Sequence, residues 1–227
     1  MTGAGGSPLH RFRTPRAFEL RPAVQDRFAW SADPDRGVVQ GPLDVQGLHG
    51  KLVDLVLDRR QVALFDHGGP LQCVLLSGLH MLDLFHPDAL LRGARLHIVE
   101  LERPLVLTWQ RPLPVRGGAR TAAGLFVVRI VEPCAFHAAF LRDGRACDEQ
   151  ALRTRLASLL PTFLAIRLTR CGDDLQDDAR LTAAVASLDP RDLDADLAPY
   201  GLACDAVALQ PPSGSLSEPL LPVGAGR

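Results

Sequence analysis

One segment of the sequence, "ARLHIVELERPL", gathers three side chains that could transfer protons. His97, Glu100 and Glu102 lie close together along it, and a histidine with two carboxylates can provide a general acid and a general base. Such groups form a catalytic site only where the fold holds them in one polar pocket. If the chain is an enzyme, these three residues are its candidate site.

A metal site needs ligands that converge, and the sequence offers weak candidates for one. His80, Asp83 and His86 follow one another at intervals that do not place them on one face of a strand. The cysteines are odd in number and include no pair with the spacing of a zinc or redox site. They are Cys73, Cys134, Cys147, Cys171 and Cys204. We predict buried, reduced thiols and no metal.

Three alternating aspartates in "DLDADLAPYGLA" resemble the start of a calcium-binding loop. Asp192, Asp194 and Asp196 have the right spacing, but Leu197 stands where the loop needs glycine and Ala203 where it needs glutamate. The turn and the bidentate ligand are therefore both missing. We predict a solvated helix face.

The sequence contains neither the complete motif of a serine nucleophile nor that of a phosphate-binding loop. Ser77, in "LLSGLHM", lacks the glycines that flank the serine of a nucleophile elbow, and we predict a turn residue. The early "GAGG" follows no strand, so it does not match a dinucleotide-binding loop. We therefore predict no catalytic residue outside the His97 group and no cofactor.

Composition and charge exclude several classes of protein. The chain has 227 residues and a formal net charge of -1, which fits a globular domain and argues against a nucleic-acid partner. No apolar run approaches the ~20 residues of a membrane span, and no export signal is visible. We expect a cytoplasmic protein.

The elements that would position these side chains begin after a long extension. Residues 1–50 show no sustained hydrophobic periodicity, and we predict that they form an extension. Residues 51–210 show the hydrophobic patterns of strands and helices and form the predicted domain. For residues 211–227 we predict a flexible tail. Arginines and aromatic residues interleave in the extension, which suits a docking arm, a loose tail or contact with anionic lipid. They are Arg11, Arg13, Arg16, Arg21 and Arg27, with Phe12, Phe18, Phe28 and Trp30.

The first part of the predicted domain is rich in β-strands. Residues 52–57, 61–65 and 71–76 show strand patterns, and the "DHGGP" turn predicts a hairpin between the last two. Further strands are predicted within "ARLHIVELERPLVLTW" and "AAGLFVVRIVEP", each with at least one buried face. In the second, alternation separates two sets of side chains. These are Leu125, Val127 and Arg129 on one face and Phe126, Val128 and Ile130 on the other.

The second part of the domain has helical periods. Phe136, Ala139 and Phe140 share one face of a helix after Pro133. Asp148 is placed to cap the next helix, where a leucine stripe faces the core and Pro161 predicts a kink or a break. The stripe consists of Leu152, Leu156, Leu159 and Leu160.

Two more helices and a strand complete the predicted domain. A helix covers about residues 177–187, and another begins at Asp189 and ends at Gly201. A strand then returns to the earlier sheet. The predicted fold class is α+β, with a β-rich first part and a helical second part that ends in a strand.

Four stretches in this order resemble the SPFH domain of the stomatin, prohibitin and flotillin superfamily. "RRQVALFDHGGPLQCVLLSGLHMLDLF" is similar to the opening hairpin of that domain and contains the step Ser77-Gly78-Leu79-His80. "LFVVRIVEPCAFHAAFL" is similar to the passage from strand to helix, with Glu132-Pro133, Phe136 and Phe140 in the matching places. "DEQALRTRLASLLPTFLA" resembles the long helix, and "LAPYGLACDAVALQ" resembles the closing helix and strand.

The resemblance implies a non-enzymatic scaffold or adaptor that forms a homo-oligomer and organises a protein partner, which the sequence does not identify. The chain lacks the membrane segment and the long coiled coil of many members, so we expect at most peripheral membrane contact. An acidic run over residues 173–196 could meet Arg11, Arg13 and Arg16 of a neighbouring subunit and close a ring. A monomeric binding module and an uncharacterised enzyme are the alternatives.

Overall fold

The structure is a computed structural model that describes residues 27–31, 37–84, 92–115, 118–143, 148–170 and 178–210. The described residues form strands in three sheets together with one long helix and several short helical segments. The predicted α+β fold class is confirmed.

The strands and helices follow the chain in this order. The strands are β1 (Arg27–Ser31), β2 (Val39–Asp44), β3 (Leu52–Leu57), β4 (Gln61–Asp66), β5 (Leu71–Leu75), β6 (Gly78–Asp83), β7 (Arg95–Glu100), β8 (Leu105–Val115), β9 (Gly118–Ile130) and β10 (Leu202–Gln210). The helices are α1 (Pro133–Phe136), α2 (Glu149–Arg170), α3 (Asp178–Ser187) and α4 (Asp194–Leu197). A π-helical turn (His137–Leu141) continues α1, 3-10 turns (Pro190–Leu193 and Ala198–Tyr200) flank α4, and another 3-10 turn (Gln46–Leu48) follows β2.

Sheet A has the strand order β1-β3-β6, with β1 parallel and β6 antiparallel to β3. Alternation along β3 buries Val53, Leu55 and Leu57 and leaves Val56 exposed. This pattern is that of a sheet with one face on a core and one face outside.

Sheet B, with the order β2-β7-β4-β5, lies between two hydrophobic clusters. On β4, Val62 and Leu64 belong to the cluster shared with the helices and sheet C. Ala63 and Phe65, on the opposite face, pack in the cluster shared with sheet A. The predicted hairpin is confirmed, because β4 pairs with β5 in antiparallel register.

Sheet C has the order β10-β9-β8, and the predicted return of the last strand to the sheet is confirmed by its pairing with β9. The face that carries Phe126, Val128 and Ile130 is fully buried. The helices cover this face, and every fourth position of α2 points into the core. These core positions are Leu152, Leu156, Leu160, Leu164 and Leu168.

The long helix differs from the sequence prediction at Pro161. Of the predicted kink or break, the break does not occur, because α2 runs without interruption from Glu149 to Arg170. Proline removes one backbone hydrogen bond, and the buried leucines on both sides, Leu160 and Leu164, hold the helix against the core. The predicted cap is confirmed, since Asp148 accepts a hydrogen bond from the backbone N–H of Ala151 at 2.7 Å.

Two strands lie in the region that the sequence analysis treats as an extension. β1 pairs with β3 in sheet A, and β2 pairs with β7 in sheet B. Their sequences, "RFAWS" and "VQGPLD", are short and do not alternate, so no strand period marks them. Long-range pairing therefore decides their structure. The helix predicted between Asp189 and Gly201 is also shorter, because α4 covers only Asp194–Leu197 and lies between two 3-10 turns.

Candidate functional site

A buried polar cluster joins sheet B to the helix after β9. It consists of Asp66 at the end of β4, Arg95 and His97 on β7, and His137 in the π-helical turn. Leu64 pairs with His97 and Asp66 with Arg95, so strand alternation places these polar residues on the face of sheet B that is turned to the helices. Asp66, His97 and His137 are 0%, 0% and 1% exposed. We call these four residues the Asp66 cluster.

The carboxylate of Asp66 holds the cluster together. Its Oδ1 accepts hydrogen bonds from the backbone N–H of Gly68 at 2.6 Å and from Arg95 Nε and Nη2 at 2.9 and 2.6 Å. Its Oδ2 lies 2.7 Å from His137 Nε2. Burial alone would raise the pKa of Asp66, but the bonds from His137, Arg95 and Gly68 outweigh burial and lower it. The carboxylate is therefore ionised, and His137 Nε2 is the donor.

His97 lies beside this ion pair without a hydrogen bond to it. Both of its ring nitrogens are buried and have no hydrogen-bond partner among the described residues. Burial lowers the pKa of His97 to about 4, and the charges of Arg95 and His137 lower it further, whereas Asp66 raises it. The ring is therefore neutral at pH 7.

The backbone of β2 approaches the His97 ring closely. A side chain at Gly41 would place its Cβ 2.7 Å from the carbonyl oxygen of Leu96 and 3.3 Å from His97 Nδ1. The φ of Gly41 is +125°, which glycine adopts readily and other residues do not. Gly41 is thus required for the packing of β2 over this histidine.

The Asp66 cluster contains the residue types of an acid-base catalyst, but these residues are buried and connect parts of the fold. Its histidines and its carboxylate are sealed from solvent, and the donors of Arg95 and His137 are directed at Asp66. A reacting group would need contact with one of them. The cluster therefore ties β4, β7 and the π-helical turn to one another.

The structure separates the three residues that the sequence offered as a catalytic site. His97 is buried on one face of β7, whereas Glu100 alternates to the other face and pairs with Arg103 at 3.0 Å. Glu102 follows the strand with a φ of +61° and is exposed. Sequence reasoning missed Asp66 and His137. The alternation Val62, Leu64, Asp66 along β4 carried a signal for Asp66, because it continues the buried face.

The described members of the metal and calcium candidates do not converge either. His80 and Asp83 point to opposite faces of β6, and His86 lies outside the described residues. No group of three side chains able to hold a metal occurs in the described part of the chain. Among the alternating aspartates, Asp194 accepts a hydrogen bond from the backbone N–H of Cys204 at 2.8 Å, and Asp196 pairs with Arg167 at 2.7 Å.

Three of the cysteines and Ser77 lie in the described part of the chain. Cys204 is buried, and burial raises the pKa of its thiol to about 11. Cys73 and Cys134 are exposed, which corrects the prediction that the thiols are buried. Cys147 and Cys171 lie outside the described residues. Ser77 lies in the bend between β5 and β6, and Arg11, Arg13, Arg16 and Arg21 lie outside the described residues.

The outer face of sheet A carries an exposed apolar surface. Leu79 and Met81 on β6 are 68% and 65% exposed, and Leu76, between β5 and β6, is 65% exposed. Val56, which pairs with Leu79 in register, is 43% exposed. We call these four residues the β6 strip. In the described part of the chain, β6 is an edge strand that pairs with β3 alone. Exposed apolar clusters beside an open strand edge mark contact sites.

Two of the stretches that carry the family resemblance meet at one junction. The carbonyl oxygen of Gly201 accepts hydrogen bonds from the backbone N–H groups of Val131 and Glu132 at 2.9 and 3.2 Å. The carboxylate of Glu132 caps α1 by accepting from the backbone N–H groups of its first turn. The Phe140 ring lies 6.1 Å from Tyr200. Residues distant in the sequence thus form one packed unit.

Replacing Gly201 with alanine should destabilise this junction strongly. Gly201 has a φ of +69°, and an added Cβ would lie 2.1 Å from the carbonyl oxygen of Glu132. We expect a loss of about 3 kcal/mol or more in thermal or denaturant unfolding, from backbone strain together with overpacking. Gly50→Ala is the matched control, because Gly50 has a φ of +76° with nothing within 4 Å, and it should lose only about 1–2 kcal/mol. Equal losses in the two variants would contradict the close approach.

Comparison of the chain with known protein families gives no match, and comparison with curated proteins gives none either. Among the described residues, no helix combines the length and the apolar character that crossing a membrane requires.

Proposed function

We propose that this chain is a non-enzymatic, SPFH-like scaffold or adaptor that self-assembles through strand β6 and organises partner proteins. The observation that carries the proposal is the β6 strip, an exposed apolar surface on an open strand edge. A monomer that exposes such a surface loses the free energy that burying it would provide.

The order of the elements supports the family resemblance on which the scaffold role rests. The hairpin β4–β5 leads through Ser77 into β6, β9 leads through Glu132 into α1, and the long helix α2 follows. The Tyr200-Gly201 stop and β10 close the domain. The junction between Glu132 and Gly201 adds a contact between separate parts of the resemblance.

The sequence of β6 suits pairing with a second copy of the same strand. An antiparallel pair centred on His80 would set Leu79 of each copy opposite Met81 of the other, so that the two strips form one apolar surface. The same register sets Asp83 opposite Ser77 of the other copy, which avoids facing carboxylates. Such a contact is symmetric and forms a dimer, which is the commonest form of self-association.

The non-enzymatic part of the proposal is supported by the Asp66 cluster, in which Arg95 and His137 donate to Asp66 and the His97 ring is fully buried. The proposed location is the cytoplasm, where the arginines of the amino-terminal extension could contact the inner face of a membrane. That location rests on the resemblance and on the residues of the extension.

A charge placed on the β6 strip should abolish self-assembly. Leu79→Glu puts a carboxylate opposite Met81 of the second copy, where it would lose its hydration without gaining a partner. We expect the native mass of this variant, measured by light scattering, to fall to that of one 24.5 kDa chain.

Val106→Glu is the matched control for this experiment. Val106 is 52% exposed on sheet C, away from β6, so its substitution should leave the native mass equal to that of the wild type. Circular dichroism of both variants checks that the fold is retained. A Leu79→Glu protein that keeps the wild-type assembly would overturn the role of β6.

A further inference from the structure

A cavity lies between sheets A and B, on the face of sheet B opposite the Asp66 cluster. Its volume is about 510 Å³. That volume falls within the range of ~300–1,000 Å³ that is usual for small-molecule sites. The walls come from both sheets, with Trp30 and Val53 from sheet A and Phe65 and Leu75 from sheet B.

The chemistry of the walls restricts the ligand. The lining is almost entirely aliphatic and aromatic, so a polar ligand would give up its hydrogen bonds to water without replacing them. Apolar surface would instead gain free energy on entering. Among the described lining residues, the only groups that can ionise are Cys73 and Asp83, and no lysine, arginine or histidine is present. A carboxylate or phosphate head group therefore finds no counter-charge at these walls.

The entrance to the cavity is marked by its exposed lining residues. Cys73 is exposed, yet it pairs in register with Phe65 and so projects from the same face of sheet B as that ring. Met81, on the edge strand β6, borders the cavity from the outer face of sheet A and is 65% exposed. Cys73 and Met81 thus lie where the apolar interior meets solvent, one on each sheet.

We propose that this cavity binds the alkyl chain of a neutral amphiphile, with the chain between the two sheets and the uncharged head group at Cys73 and Met81. The volume sets the size of the chain, the aliphatic walls set its apolar character, and the absence of basic groups among the described lining residues selects against an anionic head. The cavity is formed within one chain, but Met81 also belongs to the β6 strip, so the proposed β6 contact would cover part of the entrance.

The two tryptophans of the chain make this proposal directly testable. Trp30 lines the cavity, whereas Trp109 is buried in the other cluster with its ring 5.7 Å from Phe126. A bromine atom quenches tryptophan fluorescence on contact, so bromoundecanol, a neutral alkyl probe, should quench Trp30 in a saturable way. Bromoundecanoate at pH 8 has the same chain and an anionic head, and it should bind at least tenfold more weakly.

Three variants of the full chain define the outcome. In Trp30→Phe the saturable quenching should disappear. Cys73→Phe narrows the entrance and should weaken binding of bromoundecanol about tenfold, whereas Cys134→Phe, at an exposed cysteine outside the cavity lining, should leave it unchanged. The proposal is overturned if neither probe gives saturable quenching, or if quenching persists in Trp30→Phe. It is also overturned if bromoundecanoate binds as tightly as bromoundecanol.

Discussion

Replacing Asp66 with alanine is expected to cost about 3–5 kcal/mol of folding free energy, the usual loss when one partner of a buried ion pair is removed. The variant leaves the Arg95 guanidinium, which is 14% exposed, without its carboxylate, and it removes the acceptor of the buried His137. The total stability of a domain is only ~5–15 kcal/mol, so a loss of this size should be evident in urea unfolding.

Two further variants separate the ion pair from general packing. Asp205→Ala removes the same side chain from the half-exposed pair with Arg129 and should cost less than about 1 kcal/mol. The triple variant Asp66→Leu, Arg95→Met, His137→Leu replaces the polar set with apolar side chains and should recover most of the loss. If the free energy of unfolding of Asp66→Ala lies within about 1 kcal/mol of the wild-type value, the buried ion pair does not have this role.

Acidification should destabilise the protein through His97 well before the carboxylates titrate. The pKa of His97 falls from an ordinary 6.5 to about 4 on folding, so between these values the unfolded chain binds a proton that the folded chain does not. Stability is therefore complete above pH 6.5 and declines as pH falls toward 4. At ~1.4 kcal/mol per pKa unit the decline amounts to about 3 kcal/mol.

The measurement is urea unfolding at a series of pH values between 7 and 4. His97→Leu removes the buried imidazole and should flatten the dependence. Asp66 acts in a different window, since its pKa is lowered and its contribution is lost only as pH falls below the ordinary 3.8. An unchanged slope in His97→Leu would mean that His97 titrates normally in the folded protein.

Local patterns were sufficient to predict much of the fold. β3 and the β4–β5 hairpin follow from alternation and the glycine turn, the α2 cap follows from Asp148, and the stop at Gly201 follows from the left-handed conformation that a helix end requires. In each case the cause lies within a few residues of the element.

Long-range contacts decide what the sequence did not predict. β1 is held by a parallel partner that follows it in the chain, and α2 continues through Pro161 because neighbouring leucines are buried in the core. The Asp66 cluster joins Asp66 and His137, which are 71 positions apart. No local sequence pattern indicates that these two residues are partners. His97 and Glu100 looked like partners because they are close in sequence, yet strand alternation places them on opposite faces.

The most direct test of the proposed scaffold is the native mass of the wild-type chain by light scattering, at two protein concentrations and two salt concentrations. We predict an assembly of at least two 24.5 kDa chains that survives the higher salt concentration, because the β6 strip is apolar and an apolar contact is not screened. A monomer under all four conditions would contradict self-assembly through β6.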